Sequence, residues 1–521
     1  MPVRMDQDSD RGSNRDNYPG RRRPTRGGGG GGANPLIYLL PIIFKLFRKK
    51  PKLMIGLLIV GGLFYFFGGG SSLFSPSNTN TSSSGGYATG FQPNQQKYDQ
   101  AEVYEPLADN VKNPMPEKIS LLKYAPTRLN QGQQGSCVGW ASSYAARTIL
   151  HSRATGHNPN SVRFSPSYLY NQIALKGCQG SYLKDAMQNM AQGGVLPLDK
   201  FAYDEQQCNK KPQGYHRQEA SQFKIKGYNR LTKSGDEYQV DLLAVKQNLA
   251  QGAPVVIGMM VGGSFMQAMQ GKNVWYPSQG DYNQRGFGGH AMCVIGYDDY
   301  LEGGAFQIMN SWGEEWGKRG TAYVRYKDFD YFVKEAYGLY PMGDANKPTS
   351  SRLNAKIGLV VNNDKSYISL GKRSNSVFVT TQTLRKGTKF KMEITNSNAC
   401  YVYIFGQETD GSSYVLFPYT KKHSPYCGIT GTRLFPRDFS MRLDDVGSKD
   451  YIAVVLSKNP IDYNNMNRKI SSARGGDYSS KLQQVIKNTS STQINSGKQL
   501  SISTDFKRTN MLGLVVEINK N

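Results

Sequence analysis

The chain is poor in the residues that build metal centres. Its 521 residues include five histidines, six cysteines and four tryptophans. The cysteines (Cys137, Cys178, Cys208, Cys293, Cys400 and Cys427) make no C-x-x-C pair and no Cys/His ligand spacing. A zinc site is therefore not expected, and no metal or cofactor is called for. Acidic residues are also scarce: 39 Asp and Glu against 64 Lys and Arg, a formal charge of +25. Such a surplus invites a nucleic-acid partner, but its placement argues otherwise. Residues 1–52 hold 12 Lys/Arg and 4 Asp directly ahead of an apolar run. That flank fits membrane topology better than base readout, and the rest of the charge forms no basic helix or RNA-binding signature. Unspecific attraction to an anionic envelope polymer is the most that the charge supports. No solenoid repeat is evident, and the length exceeds what one core holds, so two or three domains are expected.

Along the chain, residues 1–32 are polar, Arg-rich and end in six glycines, which predicts a disordered basic tail. Residues 33–47 are apolar, short and broken by Pro41 and Lys45, which suits the membrane interface. From Leu53 to Phe74 run 22 residues without a charge. At about 1.5 Å per residue this run is long enough to cross a hydrocarbon core of roughly 30 Å. A buried core helix is the plainer alternative. A cleaved signal peptide fits poorly, because the run starts late and no small-residue cleavage site follows. The basic flank places the N-terminus in the cytoplasm and everything after Phe74 outside it, in a bacterial periplasm or at the cell surface. Residues 75–116 read as a flexible linker. Residues 117–345 begin with helical periodicity at 137–152 and near 182–192. They then turn to strand-like runs at 254–261, 291–297, 306–309 and 321–326, an α+β domain with two unlike halves. Residues 350–521 alternate apolar and polar in short runs, which predicts an all-β, sandwich-like domain.

The stretch Asn130–Trp140 (NQGQQGSCVGW) is a Gly/Gln loop entering a helix with Cys137 at the junction. Unpaired N–H groups at a helix start favour a thiolate, and the Gln131 amide, six residues upstream, is in reach of the sulfur as an oxyanion donor. His290 sits where a glycine loop enters the apolar strand GGHAMCVIGY and is the candidate base. Asn310 follows the strand-like run 306–309, and its amide is suited to hold the imidazole tautomer. Trp312 and Trp316 are placed to shield that hydrogen bond. Against this stand plainer readings: Cys137 and His290 as packed core residues, Cys293 as an inert buried thiol, and Asp298-Asp299 as a solvated turn rather than a calcium pair.

These three blocks, NQG…GSC, GHA…GY and NSWGEEWG, occur in one order, and residues 117–345 resemble a papain-like cysteine peptidase. The resemblance implies a two-lobed fold, one lobe helical and one β. It implies a thiolate–imidazolium pair of Cys137 and His290 oriented by Asn310, and an oxyanion hole from the Gln131 side chain and the Cys137 backbone N–H. Gly180, Ser181 and Tyr182, with Ala291 and Trp312, correspond to the family's substrate wall. Gln134 stands where the family has a bridging cysteine, so Cys178 either pairs with Cys208 or stays free. Cys178–Cys208 and Cys400–Cys427 are the candidate disulfides. Val138 and Gly289 also depart from the papain type, and the linker is too short for the family's usual inhibitory pro-segment. The C-terminal segment resembles a small uncharacterised bacterial all-β domain through residues 389–394, 399–405, 415–418 and 451–456, which implies an accessory role with an envelope protein or polysaccharide as partner. The expected function is a membrane-anchored extracytoplasmic peptidase acting on peptides or proteins. A catalytically silent receptor, or a transpeptidase using the same thiol, are the alternatives.

Overall fold

The structure, a computed structural model, describes residues 3–7, 87–108, 111–233, 238–346, 351–486 and 492–521. The apolar runs 33–47 and 53–74 lie outside the described residues, among which no helix is long and apolar enough to cross a membrane.

The central domain has the two unlike halves expected. Its helical half is built on three consecutive stretches, Cys137–Gly139, Trp140–Arg147 and Thr148–Thr155, the middle one π-helical. Every residue from Ser136 to Leu150 is buried. The sequence permits this because the stretch is mostly small or apolar on all sides, and its one charge, Arg147, donates through Nε to Phe223 O at 3.0 Å. A Cβ on Gly139 would come within 2.7 Å of the Pro166 carbonyl, so the neighbouring helix Pro166–Ile173 packs directly on the backbone. Where hydroxyls are buried, they find carbonyls: Ser143 Oγ donates to Ser165 O at 2.8 Å. The β half is an eight-stranded sheet centred on Val255–Val261, Gly288–Asp298 and Ala305–Met309. Nine consecutive residues of the central strand, His290 to Asp298, are buried. One continuous hydrophobic cluster joins the helices to this sheet.

The C-terminal segment is a sandwich of an eight-stranded and a seven-stranded sheet. Residues of both sheets, among them Ile357, Met392, Ile404 and Val454, share one core. It is not all-β. Helices Tyr463–Ser472 and Tyr478–Val485 cover the outer face of the second sheet. The reason is visible in the strand Lys449–Ser457, whose run Ile452–Leu456 is apolar without alternation. Its outward side chains Ala453 and Val455, with Tyr403 and Phe405, need a second cover, and Met466, Ile470, Tyr478 and Leu482 supply it.

Two expectations are corrected here. Val3–Gln7, expected within a disordered tail, forms a strand paired with Phe439–Leu443, register Val3↔Leu443 to Gln7↔Phe439. Val3 is buried in the sandwich core. An edge strand with unpaired backbone groups accepts such an addition. The pairing sets Val3–Gln7 beside the C-terminal domain. Likewise, residues 87–108 and 111–116 are no flexible linker. They form an ordered strap with Phe91, Tyr98, Ala101, Val103, Tyr104 and Leu107 buried. Apolar side chains spaced through this otherwise polar stretch give it enough area to bury. Its helix Gln95–Asp99 is capped by Asn94, whose Oδ1 accepts from Lys97 N at 2.9 Å.

Candidate active site

The helix start, the central strand and the turn after Ala305–Met309 converge. Cys137 begins its helix against the strand bearing His290, and Ala291 N donates to Cys137 Sγ at 3.3 Å. The His290 Nε2 to Asn310 Oδ1 distance is 2.7 Å. Asn310 Oδ1 also accepts from Ser311 N at 2.8 Å, which fixes the amide orientation and makes Nε2 the protonated nitrogen of a neutral ring. The Trp312 ring stacks on the imidazole, centroids 4.3 Å apart, and Trp316 meets Trp312 edge-on at 5.8 Å. His290 Nδ1 is buried without a hydrogen-bond partner, and so is Asn310 Nδ2.

Gln131 is fully buried beside the helix start. Its Oε1 accepts from Ser311 Oγ at 2.7 Å, and its Nε2 donates to Gln134 O at 2.9 Å, leaving a second N–H. Tyr203, which carries no mark in the sequence, donates to Gln131 O at 2.6 Å and lies 2.7 Å from Ser136 Oγ. Gln134 bridges to the next loop without a disulfide: its Nε2 donates to the carbonyls of Asp204 and Glu205 at 3.2 and 3.3 Å. Of the candidate disulfides, Cys178–Cys208 is formed. Cys400 and Cys427 face each other across paired strands as buried free thiols, and Cys293 is buried and free as expected. Among the described residues no cluster of metal-ligating side chains occurs.

The cleft is occupied by the chain itself. Residues 87–92 run through it from Trp312 to Ser181. Tyr87 stacks on Trp312 at 4.5 Å and 8°, on the ring that also carries His290, and Trp312 Nε1 donates to Ala88 O at 2.9 Å. Gly90 and Phe91 N–H groups both donate to Gly289 O, at 3.0 and 2.9 Å. Ser181 N donates to Gly90 O at 2.9 Å, and Gln92 N donates to Ser181 O at 3.1 Å, a parallel bridge. The glycines on either side are required: a Cβ on Gly180 or Gly289 would lie 2.2 or 2.1 Å from a strap carbonyl, that of Gly90 or Phe91. Gly180 also takes φ +112°. Tyr182 lies at the strap's edge under the Lys97 ammonium, 4.8 Å from the ring centroid. The one signal for this segment in the sequence is Tyr87 and Phe91 flanking a glycine within a Ser/Thr/Asn-rich stretch.

Covering the cleft reverses the expected electrostatics. Cys137 is 0% exposed, and burial pushes its thiol up to about 12 although the N–H groups of Ala291, Val138 and Phe91 favour the anion. Burial likewise lowers His290 to about 4, against the Asn310 hydrogen bond that raises it. In the covered state burial thus works against both the thiolate and the imidazolium, because each charge loses its solvation there.

The strap continues onto the C-terminal domain. Tyr104 N donates to Arg230 O at 3.0 Å on the central domain, whereas Val103 N donates to Lys422 O at 2.6 Å and Ala108 N to Thr432 O at 2.7 Å on the other. Asn113 Oδ1 accepts from Thr432 N at 2.7 Å, and Arg433 Nε donates to Glu105 O at 3.0 Å. Residues 102–108 and 111–113 are thus held between the two.

Comparison with known proteins places this geometry. Residues 122–337 match the model of the papain family cysteine protease, and residues 383–460 that of a domain of unknown function, DUF4384. An uncharacterised peptidase C1-like protein of Acanthamoeba polyphaga mimivirus is 30% identical over 218 residues, 40% of this chain and 68% of that protein. Cathepsin K of Mus musculus is 27% identical over 214 residues, 40% of this chain and 59% of its own length. The chain thus spans 59 to 68% of the length of these relatives. The crystal structure of xylellain, a cysteine protease from Xylella fastidiosa, aligns with TM-score 0.40 at 22% identity, covering 49% of this chain and 95% of that one. Through its central domain, the chain belongs to the papain family of cysteine proteases.

Proposed function

We propose that the protein is a cysteine peptidase held latent by its own residues 87–92. The observation that carries this is the 2.7 Å His290–Asn310 contact on the strand whose Ala291 N–H meets Cys137 Sγ, with the strap hydrogen-bonded beside it to Gly289, Ser181 and the Trp312 indole. When the strap leaves, water and substrate enter and the charged pair becomes affordable. Nδ1 of His290 then takes the thiol proton, while Asn310 keeps Nε2–H aligned. The thiolate attacks the scissile carbonyl, and the oxyanion is met by the Cys137 backbone N–H and the Gln131 amide. Each donor contributes about 2.7–4 kcal/mol, as in other hydrolases. His290 protonates the leaving amine, and water then hydrolyses the thioester with His290 as base. Labelling by a thiol-directed active-site probe tests this. Strap-loosened protein is expected to label at Cys137 and to hydrolyse peptides, and Cys137→Ala to do neither. Hydrolysis by the Cys137→Ala chain would end the proposal.

A silent receptor is the second reading, favoured by the closed cleft and the fully buried thiol. It predicts that loosening the strap brings no hydrolysis. We further propose that the run 53–74 attaches the enzyme to a membrane, with the catalytic domain outside the cytoplasm. The Val3–Gln7 pairing favours an N-terminus on that same side. Protease added to spheroplasts is expected to remove an N-terminal tag; protection of the tag beside a digested catalytic domain would restore the single-pass arrangement.

A further inference from the structure

Two thiols outside the cleft have no part in the chemistry above. Cys400 opens the strand Cys400–Gln407, and Cys427 closes the two-residue strand Tyr426–Cys427. The two are direct partners in antiparallel register. Both side chains belong to the sandwich core, 0% and 1% exposed. Directly opposed residues of an antiparallel pair lie about 4.5–5.5 Å apart at Cα. That spacing falls inside the roughly 4.4–6.8 Å that a disulfide spans, so the pair can close by a turn of its side chains. Cys427 is the end that opens first. Among the described residues its short strand has one sheet neighbour, Cys400–Gln407, and such edge segments open locally at low cost.

The charge beside the pair belongs to the strap's anchor. Arg433 is buried, and its guanidinium donates to Glu105 O at 3.0 Å, Asn396 Oδ1 at 2.9 Å and Ile429 O at 2.8 Å. Asn396 in turn donates to Cys427 O at 3.1 Å. Burial pushes both thiols up, and Arg433 is the charge that opposes it at each. Arg433 thus favours the thiolate, the form that exchanges with disulfides. The loop leading to Cys427 also carries the strap. Val103 N donates to Lys422 O at 2.6 Å, and Ser424 N donates to Val103 O at 3.0 Å. The Tyr426 ring packs on Tyr401 of its own domain, at 4.9 Å, and on Tyr340 of the central domain, at 4.2 Å. Tying Cys427 to Cys400 would pin this loop to the sandwich, and with it the strap's hold at Val103.

We propose that Cys400 and Cys427 are a reversible disulfide site, closed by exchange with a low-molecular-weight disulfide, that fastens the strap's anchor when oxidised and loosens it when reduced. The Cys427 thiol gives its proton to solvent, and the thiolate attacks one sulfur of the small disulfide. That S–S bond breaks, and the other half leaves as a thiolate that takes up a proton. The Cys400 thiolate, formed in the same way, then attacks Cys427 Sγ, and the second small thiol leaves likewise. Two protein thiols are oxidised, and one disulfide is reduced to two thiols. The regulatory meaning rests on the latent-peptidase reading, but the site and its grip on the strap are read without hydrolysis. The full chain is equilibrated in glutathione buffers, reduced or oxidised, and mapped by mass spectrometry without reduction. A cross-link between the peptides carrying Cys400 and Cys427 is expected in the oxidised buffer and is expected to be lost in the reduced one. Cys293, equally buried, is the control and should stay free. Amide exchange at Val103 and Ser424 is expected to be about tenfold slower in the oxidised chain. That difference should vanish in the chain carrying Cys400→Ala and Cys427→Ala, which retains Cys178–Cys208. Two free thiols in the oxidised buffer, or a glutathione adduct without the cross-link, overturns the site. A cross-link that leaves exchange at Val103 unchanged overturns its hold on the strap. Absence of hydrolysis by the reduced Phe91→Ala chain would overturn the peptidase assignment instead, and the cross-link and exchange would still decide the site.

Discussion

If the strap is what closes the site, loosening it at one side chain has a calculable effect on Cys137. Phe91 is 1% exposed, with its ring against Gly258 and Gly289. Truncating a buried Phe to Ala costs about 3–5 kcal/mol, and the lower end applies because the strap is free to shift into the space the ring leaves. The backbone hydrogen bonds of Gly90 and Phe91 to Gly289 are kept. A loss of about 3 kcal/mol multiplies the open fraction about a hundredfold. Because Cys137 is fully buried in the covered state, alkylation requires opening and follows that fraction. Phe91→Ala should therefore raise the rate of iodoacetamide labelling at Cys137 about a hundredfold, read by intact mass and peptide mapping in native buffer. Cys293, buried in the sheet core, is the internal control and should stay unlabelled. A folded Phe91→Ala protein whose Cys137 labels at the parental rate would refute the strap as the barrier.

Further outcomes follow from the same geometry. Asn310→Ala in the strap-loosened chain should lower kcat/KM about 10- to 100-fold, since the imidazole loses its one partner, and leave the melting temperature near the parent. Burial raises the carboxyls of Glu105 and Glu335 to about 7 from an ordinary 4.5 in the covered state, Glu105 facing Arg433, Arg437, Asp438 and Tyr419. The covered state thus binds these two protons more tightly than the open one, an effect opposed in part by His290, which burial lowers to about 4 and which gains its proton on opening. Strap docking should be strongest below about pH 4.5 and weaken as pH rises to about 7, read as hydrogen-exchange protection of Gly90 and Phe91 corrected for intrinsic rates. Breaking Cys178–Cys208, which closes a 30-residue separation, should cost about 3.5 kcal/mol on the chain-entropy view and lower the melting temperature roughly 10 °C, read by calorimetry of Cys208→Ser.

Much of the site was legible because its parts are local signals. A cysteine after a Gly/Gln loop, a histidine at the mouth of an apolar strand and an asparagine after another each announce themselves by type and neighbours. The expected strand runs lie within three residues of the observed strands, as with 254–261 against Val255–Val261 and 291–297 against Gly288–Asp298, since they are continuous apolar runs. What stayed hidden depends on long-range contact. The strap looked like a linker because Phe91 and Tyr98 are isolated, and their partners Gly258, Gly289 and Ala336 lie more than 150 residues away. Glu335 carries no local mark, and its place as the acceptor for Asn94 N of the strap follows from the fold. The all-β expectation failed for the opposite reason. The unbroken apolar run at 452–456 was itself the sign of a sheet covered on both faces. The burial that opposes the thiolate favoured by the helix start comes from a cover that only the fold reveals.

The most direct test of a latent thiol peptidase is peptide hydrolysis by the full chain in three forms: unaltered, Phe91→Ala, and Phe91→Ala with Cys137→Ala. The account predicts little turnover for the first, a rise of about a hundredfold for the second, and none for the third. Turnover that survives the loss of Cys137, or a Phe91→Ala chain that labels at Cys137 and still cleaves nothing, would contradict it.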